Sequence, residues 1–467
     1  MRRNTKYLGT LVALAGCSAA AAWWPQFRGP QSSGVAADGD LPVHFGPQSN
    51  LVWSVEVPPG HSSPCIWQDL VFITGLEQNK FATFCFHRAD GRQLWRAEVV
   101  LDRVEKGTGG SAAPTPVTDG SRVYVYSGAF GLLCYDFGGR EIWRKPMPTP
   151  VTQHGTGASP VLAGQTLLVS RDQDVDSHLL AVDARNGRTL WRVERAEFRR
   201  GFSTPLPWPL EKPELAILPG TLRMLAYELR DGSVRWSVSG LPNEMVSSPI
   251  AGEGLIFTAG WTPGAGTSRL PKFDDLLAQG DANKDGQLTR EELPAGTAKR
   301  DFNYVDADKD GFLTRAEWEP IKAIYEKSEN ALLAVRPGGK GDITETHVAW
   351  KQTRGLPYVP TPLCYQGRLY LVKNGGLVSC FDAQTGRVHF LEERLGALGD
   401  YYASPVAAGG KILFISQPGL AVVIKAGDSL EVLARNPLGE KTMATPAVIG
   451  TRLYLRTLSR LYCFGTP

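Results

Sequence analysis

The chain has 467 residues, 42% of them apolar, with 51 glycines, 33 prolines and a net charge of +3 from 50 basic and 47 acidic side chains. That apolar fraction supports a large buried core and excludes a disordered chain. Glycine and proline spread along the whole length speak for many short strands joined by tight turns. Nearly balanced charge with no long basic run excludes nucleic-acid binding through an electrostatic patch.

At the N-terminus, Arg2, Arg3 and Lys6 form a positive start and Tyr7 to Gly16 a short apolar run. This is the pattern of an export signal, since the run is too short to span a bilayer. Two ends compete. Leu14-Ala15-Gly16-Cys17 fits a lipoprotein box, which ends the signal at residue 16 and places a lipid on Cys17. Ala20-Ala21-Ala22 fits a small-residue cleavage site, which ends the signal at residue 22 and releases a soluble protein from Trp23. Either end predicts a periplasmic or extracellular protein, touching a bacterial membrane only through lipid on Cys17. No later segment is long and apolar enough for a membrane helix.

A Ser/Thr-Pro pair then recurs eight times: Ser63-Pro64, Thr115-Pro116, Ser159-Pro160, Thr204-Pro205, Ser248-Pro249, Thr361-Pro362, Ser404-Pro405 and Thr445-Pro446. The intervals are 52, 44, 45, 44, 113, 43 and 41 residues. Within each period a short apolar stretch, a turn and a second strand such as Val123-Tyr124-Val125-Tyr126 lead to a third strand. A tight turn and a tryptophan follow, as in Ala181-Val182-Asp183 to Gly187 to Trp191. Trp95, Trp143, Trp236 and Trp350 occupy the same slot. Phe390 takes it in the sixth repeat, and Leu433 sits near it in the seventh.

Four short strands per period of about 44 residues is the signature of a propeller blade. The predicted fold is an all-β, eight-bladed β-propeller, its tryptophans acting as packing wedges between blades. The last repeat ends at Leu461-Tyr462-Cys463-Phe464 without a tryptophan strand, while Leu51-Val52-Trp53-Ser54-Val55 carries an orphan tryptophan near the start. Pairing these two segments closes the ring and leaves no open edge. Cys85, Cys134, Cys380 and Cys463 stand where other blades have alanine, and Cys65 and Cys364 fall in first strands. They read as small core residues rather than a disulfide framework.

The interval of 113 residues is about 69 longer than the commonest one of 44. The excess falls in the fifth blade, between the second strand Leu255–Thr258 and the third strand Ala331–Val335. This divides the chain into a first propeller part (23–260), an insert (261–330) and a second propeller part (331–467). The insert is rich in Asp, Glu and Lys and holds two matches to the EF-hand loop pattern. One is Asp281, Asn283, Asp285, Gly286 and Glu292; the other is Asp306, Asp308, Asp310, Gly311 and Glu317.

Calcium takes six to eight hard oxygen ligands at about 2.3–2.6 Å. Loop positions 1, 3 and 5 supply side-chain oxygens, and position 7 a backbone carbonyl, here from Gln287 and Phe312. Position 12 supplies a bidentate glutamate, and the chain turns sharply at the position-6 glycine. Thr289 and Thr314 occupy position 9. Leu288 and Leu313 at position 8 should pair across a short β-bridge. Lys272–Leu277 reads as an entering helix with Pro271 in its first turn, and Arg315–Lys327 as the final exiting helix. Pro294 should shorten the first exiting helix. Two calcium ions are expected, the second loop binding tighter because it has four carboxylates to the first loop's three.

The Ala181-Val182-Asp183 to Gly187 to Trp191 pattern, its relatives in other blades, and the opening Trp24-Pro25-Gln26-Phe27-Arg28-Gly29-Pro30 resemble the PQQ-like β-propeller repeat family. That family contains the BamB-like outer-membrane assembly lipoproteins and the propellers of quinoprotein dehydrogenases. The resemblance implies the fold from residue 23 onward, apart from the insert. It leaves open three functions: a non-enzymatic scaffold, a quinoprotein-type oxidoreductase, or an assembly factor for outer-membrane proteins. In the dehydrogenases it implies, the quinone PQQ pairs with a calcium ion in the central funnel, often near a disulfide between adjacent cysteines. This chain has no adjacent cysteine pair, and its calcium motifs lie in the insert. PQQ is therefore not expected, and no catalytic residue is assigned.

The segments before the Ser/Thr-Pro steps should ring one mouth of the channel, bringing together His154, Arg200, Glu244, Tyr358, Asp400, Tyr401 and Lys441. The insert should sit beside that mouth. The expectation is a monomeric, calcium-binding scaffold that meets a protein or carbohydrate partner of the cell envelope.

Overall fold

The computed structural model describes residues 23–465 apart from 108, 109, 111 and 267–269. Residues 1–22, where the export signal is expected and which include Cys17, lie outside these residues.

Each Ser/Thr-Pro step is followed within one or two residues by a first strand, from Cys65–Trp67 in the first blade to Ala447–Ile449 in the last. Proline lacks an N–H and belongs at the start of a strand rather than within it. Eight blade sheets follow, the four principal strands of the first seven running antiparallel in sequential hairpin order. Second and third strands are buried on both faces, as in His178–Asp183, because each sheet is covered by the blades on either side. That is why they read as continuous apolar runs rather than alternating ones. Leu51–Glu56 pairs antiparallel with Arg460–Phe464, with Trp53 opposite Cys463. The two ends of the ring are joined as predicted.

The fourth-strand tryptophans lie directly across from a small residue of the third strand. The pairs are Trp95 with Cys85, Trp143 with Cys134, Trp191 with Ala181, Trp236 with Ala226 and Trp350 with Ala334. A cysteine or alanine leaves room for the indole to lean onto the next blade. There its Nε1–H donates to a turn carbonyl: Trp53 to Arg88 at 3.0 Å, Trp143 to Ala184 at 2.9 Å and Trp191 to Leu229 at 2.8 Å. The six described cysteines are free thiols, five of them buried.

Two blades depart from the plan. In the seventh, the register sets Ala434 opposite Val423, so Ala434, not Leu433, holds the wedge slot. The gap toward the eighth blade is spanned by the N-terminal run instead. Phe45 packs on Phe464 with ring centroids 5.2 Å apart, and its N–H donates to Asn436 Oδ1 at 3.1 Å. In the fifth blade, the tight turn between third and fourth strands is replaced by a longer path from Val335 to Val348. This path adds Gly341–Asp342 as a fifth strand on Val234–Ser239. Trp236 therefore meets no turn carbonyl, and its buried Nε1–H has no hydrogen-bond partner among the described residues.

Among its described residues the insert contains four helices: α1 (Phe273–Gly280), α2 (Thr297–Arg300), α3 (Phe302–Val305) and α4 (Arg315–Lys327). No helix follows Glu292 until Thr297, in keeping with the break expected at Pro294. Pro271 stands outside α1, whose N-cap is Lys272. The Pro271 carbonyl accepts the Trp318 Nε1–H at 2.9 Å, which holds that residue off the helix axis. Phe273, Leu276, Leu288, Leu313, Trp318 and Ile321 form a core of the insert's own.

Residues 23–45 cross the channel on the side where first strands end. Thr118 N–H donates to the Pro25 carbonyl, Ala407 N–H to Gly34 and Asp40 N–H to Gly450. Arg28 is fully buried beneath, donating to the carbonyls of Pro362 at 2.8 Å and Pro405 at 3.2 Å. This segment ties distant blades together and leaves the channel a blind funnel with Phe27 on its inner surface.

Candidate functional site

The funnel wall is built by two residues from each blade. Extended backbone alternates its side chains, so a residue and the one two places before it face the same way. The Ser/Thr of every Ser/Thr-Pro step faces the axis. So does the residue two before it: His61, Ala113, Gly157, Phe202, Val246, Val359, Tyr402 and Met443. The hydroxyls are linked around the ring. Ser63 N–H donates to Thr115 Oγ1, Thr115 N–H to Ser159 Oγ, Ser159 N–H to Thr204 Oγ1, and so on to Thr445, seven bonds of 2.9–3.0 Å. The repeat that marks the blades in sequence thus belts them together in space. Above the belt, the cavity of about 210 Å³ is walled by aromatic and small apolar side chains, with His154, Glu244 and Tyr358 higher up.

Among the mouth residues expected from sequence, His154, Glu244 and Tyr358 line the cavity, and Arg200 stands just behind them. Tyr401 does not: it is fully buried in the core of its blade, its hydroxyl donating to the Ala397 carbonyl at 2.8 Å. Tyr402, on the opposite side of the chain, faces the funnel instead. Asp400 and Lys441 are exposed on loops outside the lining. His61, Phe202, Tyr402 and Met443 were missed, although counting two residues back from each Ser/Thr-Pro finds all four.

The mouth is electrostatically mixed. Burial pushes the Glu244 carboxyl up to about 7, against the opposing pull of Arg200, and the Tyr358 hydroxyl donates to it at 3.3 Å. Burial holds His61 down at about 4, assisted by the charge of Arg456. Burial also lowers His154, with Arg200 adding to the effect. Near neutral pH both histidines therefore line the funnel uncharged.

The insert docks at this mouth, as expected. Arg199 Nη1–H donates to the Tyr304 carbonyl at 2.8 Å. The Arg200 guanidinium lies 4.0 Å from the centroid of the Tyr304 ring, a cation–π contact. Trp261, at the root of the insert, meets Tyr358 edge-on at 6.2 Å.

Both acidic loops have the backbone that their spacing requires. Gly286 and Gly311 sit at φ of 79° and 90°, in the left-handed region. Leu288 pairs with Leu313 and Thr289 with Phe312. In the second loop, carboxylate oxygens of Asp306, Asp308 and Glu317 lie within 4.8 Å of one another. Asp310 Oδ1 accepts the Phe312 N–H at 2.8 Å. In the first loop, Asp281 accepts the Gly286 N–H at 3.0 Å, Asn283 donates to Asp285 at 2.8 Å, and Asp285 accepts the Gln287 N–H at 2.9 Å. The position-9 hydroxyls bond the position-12 glutamates: Thr289 to Glu292 at 2.9 Å and Thr314 to Glu317 at 2.8 Å. An all-oxygen donor set with converging carboxylates fits a hard divalent cation.

Fold and site together define an eight-bladed propeller bearing an inserted EF-hand pair. The family profile of the outer membrane protein assembly factor BamB matches residues 80–259, and that of the EF hand matches residues 273–293 and 300–319. The chain is an eight-bladed β-propeller with EF-hand motifs inserted, and its residues 80–259 are similar to the BamB-like, PQQ-type repeat. No curated protein matches the sequence.

Among solved structures, BamB from Moraxella catarrhalis is similar over 89% of this chain and 99% of its own, at 12% identity and a TM-score of 0.56. A europium-containing methanol dehydrogenase is similar over 96% and 98%, at 10% identity and 0.61. The quinohemoprotein alcohol dehydrogenase from Comamonas testosteroni is similar over 96% and 81%, at 11% identity and 0.54. At these identities the likeness concerns the fold alone.

Proposed function

We propose that this protein is a non-catalytic, calcium-binding scaffold of the cell envelope that takes a partner or ligand at its funnel mouth. The observation that carries the reading is the docking of the EF-hand pair on the arginines beside the funnel. Each loop would hold one calcium ion. In the first, the ligands would be Asp281, Asn283, Asp285, Glu292 and the Gln287 carbonyl; in the second, Asp306, Asp308, Asp310, Glu317 and the Phe312 carbonyl. The hydroxyl belt, neutral histidines and aromatic wall suit recognition of an uncharged polar group or an inserted side chain, since they offer hydrogen bonds and stacking surface together. The envelope location rests on the positive, apolar and small-residue pattern of the first 22 residues.

A photocrosslinking residue at Val246, with calcium present in the native envelope, tests this. A crosslinked species at Val246, absent when the probe stands at exposed Gly164 on the far side of the ring, supports the reading. No crosslink at Val246, or oxidation of an alcohol when quinone and calcium are added to the purified protein, overturns it.

A further inference from the structure

We propose that calcium in the second EF-hand loop controls the funnel mouth by moving Arg200 relative to Glu244. The inference deepens the calcium-scaffold reading and rests on it. Its basis is that the two helices flanking the second loop are fastened to the propeller at two different places.

The entering helix, α3, ends one residue before Asp306. Its Tyr304 is bonded through its carbonyl to Arg199, and its ring carries the Arg200 guanidinium. The exiting helix, α4, includes Glu317 and ends at Lys327, with Ser328 as its C-cap. The Ser328 hydroxyl accepts the Asn243 N–H at 2.9 Å and donates to Asn243 Oδ1 at 3.1 Å. Thr262, at the other root of the insert, also donates to Asn243 Oδ1, at 2.6 Å. Asn243 is the residue before Glu244. One helix therefore holds the connection carrying Arg200, and the other holds the connection carrying Glu244.

Calcium binding to a sensor EF-hand changes the angle between the entering and exiting helices. Here neither helix end is free, so a change of angle at Asp306 and Glu317 must appear as a relative shift of the two anchors. Arg200 is placed to respond. It sits between a propeller carboxylate, Asp174 at 2.9 Å, and an insert carboxylate, Asp301 at 3.9 Å. A small movement of α3 changes which of the two it favours. The first loop is coupled to the second through the Leu288–Leu313 pairing, and its own entering helix α1 is not among the anchors on Arg199, Arg200 or Asn243.

Hydrogen exchange of the whole protein with and without calcium tests the proposal. In the wild type, calcium should slow exchange at residues 197–202 and 240–246 by about tenfold, the effect of roughly 1.4 kcal/mol of added local stability. Glu317→Gln should abolish that protection and Glu292→Gln should retain it. Tyr304→Ala should still bind calcium by calorimetry but lose the protection at 197–202. Because Tyr304 is buried, the Arg199→Gln/Arg200→Gln double variant, whose changes lie outside the insert's core, serves as the second test and should behave alike. Calcium-induced protection confined to 273–327 in the wild type, or unchanged at 197–202 in the arginine variant, overturns the proposal while leaving the calcium-scaffold reading standing. Absence of calcium binding by calorimetry overturns both.

Discussion

The indole of Trp143 lies over Gly187 of the next blade so closely that a Cβ at that glycine would come within 2.7 Å of the ring. Gly187 also has a φ of 72°. Gly187→Ala should therefore lower stability twice over. The left-handed backbone alone costs an alanine about 1–2 kcal/mol, and the clash with the indole adds to it. Trp143→Ala should cost about 3–5 kcal/mol by opening a cavity between blades. In the Trp143→Ala background, Gly187→Ala should be milder, because only the backbone cost remains. Thermal midpoints of the two single variants and the double variant check this.

Arg195 and Asp172 form a bidentate pair, both distances 2.7 Å, with side chains 0% and 1% exposed. The Arg195 guanidinium also stacks 4.1 Å from the centroid of Phe198. Asp172→Ala should destabilise by about 3–5 kcal/mol, since it strands a buried charge. Adding Arg195→Met should recover most of that loss. Denaturant unfolding of the single and double variants is the measurement.

Calcium titration by calorimetry should give two ions per chain, falling to one in Glu292→Gln and in Glu317→Gln. The site left in Glu292→Gln, the second loop, should be the tighter, because its ligand positions carry four acidic residues rather than three. A chelator should lower the thermal midpoint of the insert before that of the propeller, which has its own core.

Glu244 gives a pH signature. Its pKa rises from the ordinary value of 4.5 to about 7 on folding, so between those values the native state holds a proton that the unfolded chain has released. Stability contributed by this group therefore falls as pH rises through that window. Glu244→Gln cannot ionise, so its advantage over the wild type should grow from pH 5 to pH 8. The difference between the two proteins isolates Glu244 from His61. The lowered pKa of His61 gives a slope of opposite sign between about 4 and 6.5. Differential scanning calorimetry across that range checks both direction and window.

Much of this architecture is legible in the chain because the propeller is periodic. Eight Ser/Thr-Pro steps announce eight blades, and the tryptophan slot shows why cysteines can replace alanines. The EF-hand loops are legible for another reason: metal geometry dictates residue type at fixed spacing. What escapes the reading depends on contacts between distant segments. Leu433 sits near the wedge slot of the seventh blade by spacing, but the register gives the slot itself to Ala434, and Phe45, nearly four hundred residues earlier, packs against Phe464 beside it. Tyr401 and Tyr402 cannot be told apart by composition, and only the alternation of the extended strand decides which one faces the axis. Arg28 reads as part of an opening motif, and its burial under carbonyls of other blades has no local signal at all.

The pairing of Leu51–Glu56 with Arg460–Phe464 has a consequence for biogenesis. The first seven blades can each assemble their four principal strands as those residues emerge, but the eighth needs a partner strand made about four hundred residues earlier. That early strand must wait, unpaired and open to wrong associations, until residues 460–464 have been synthesised. A chain stopped short of residue 460 would keep seven blades and an unlatched seam, and should be recognised by proteases rather than persist as a slightly smaller ring.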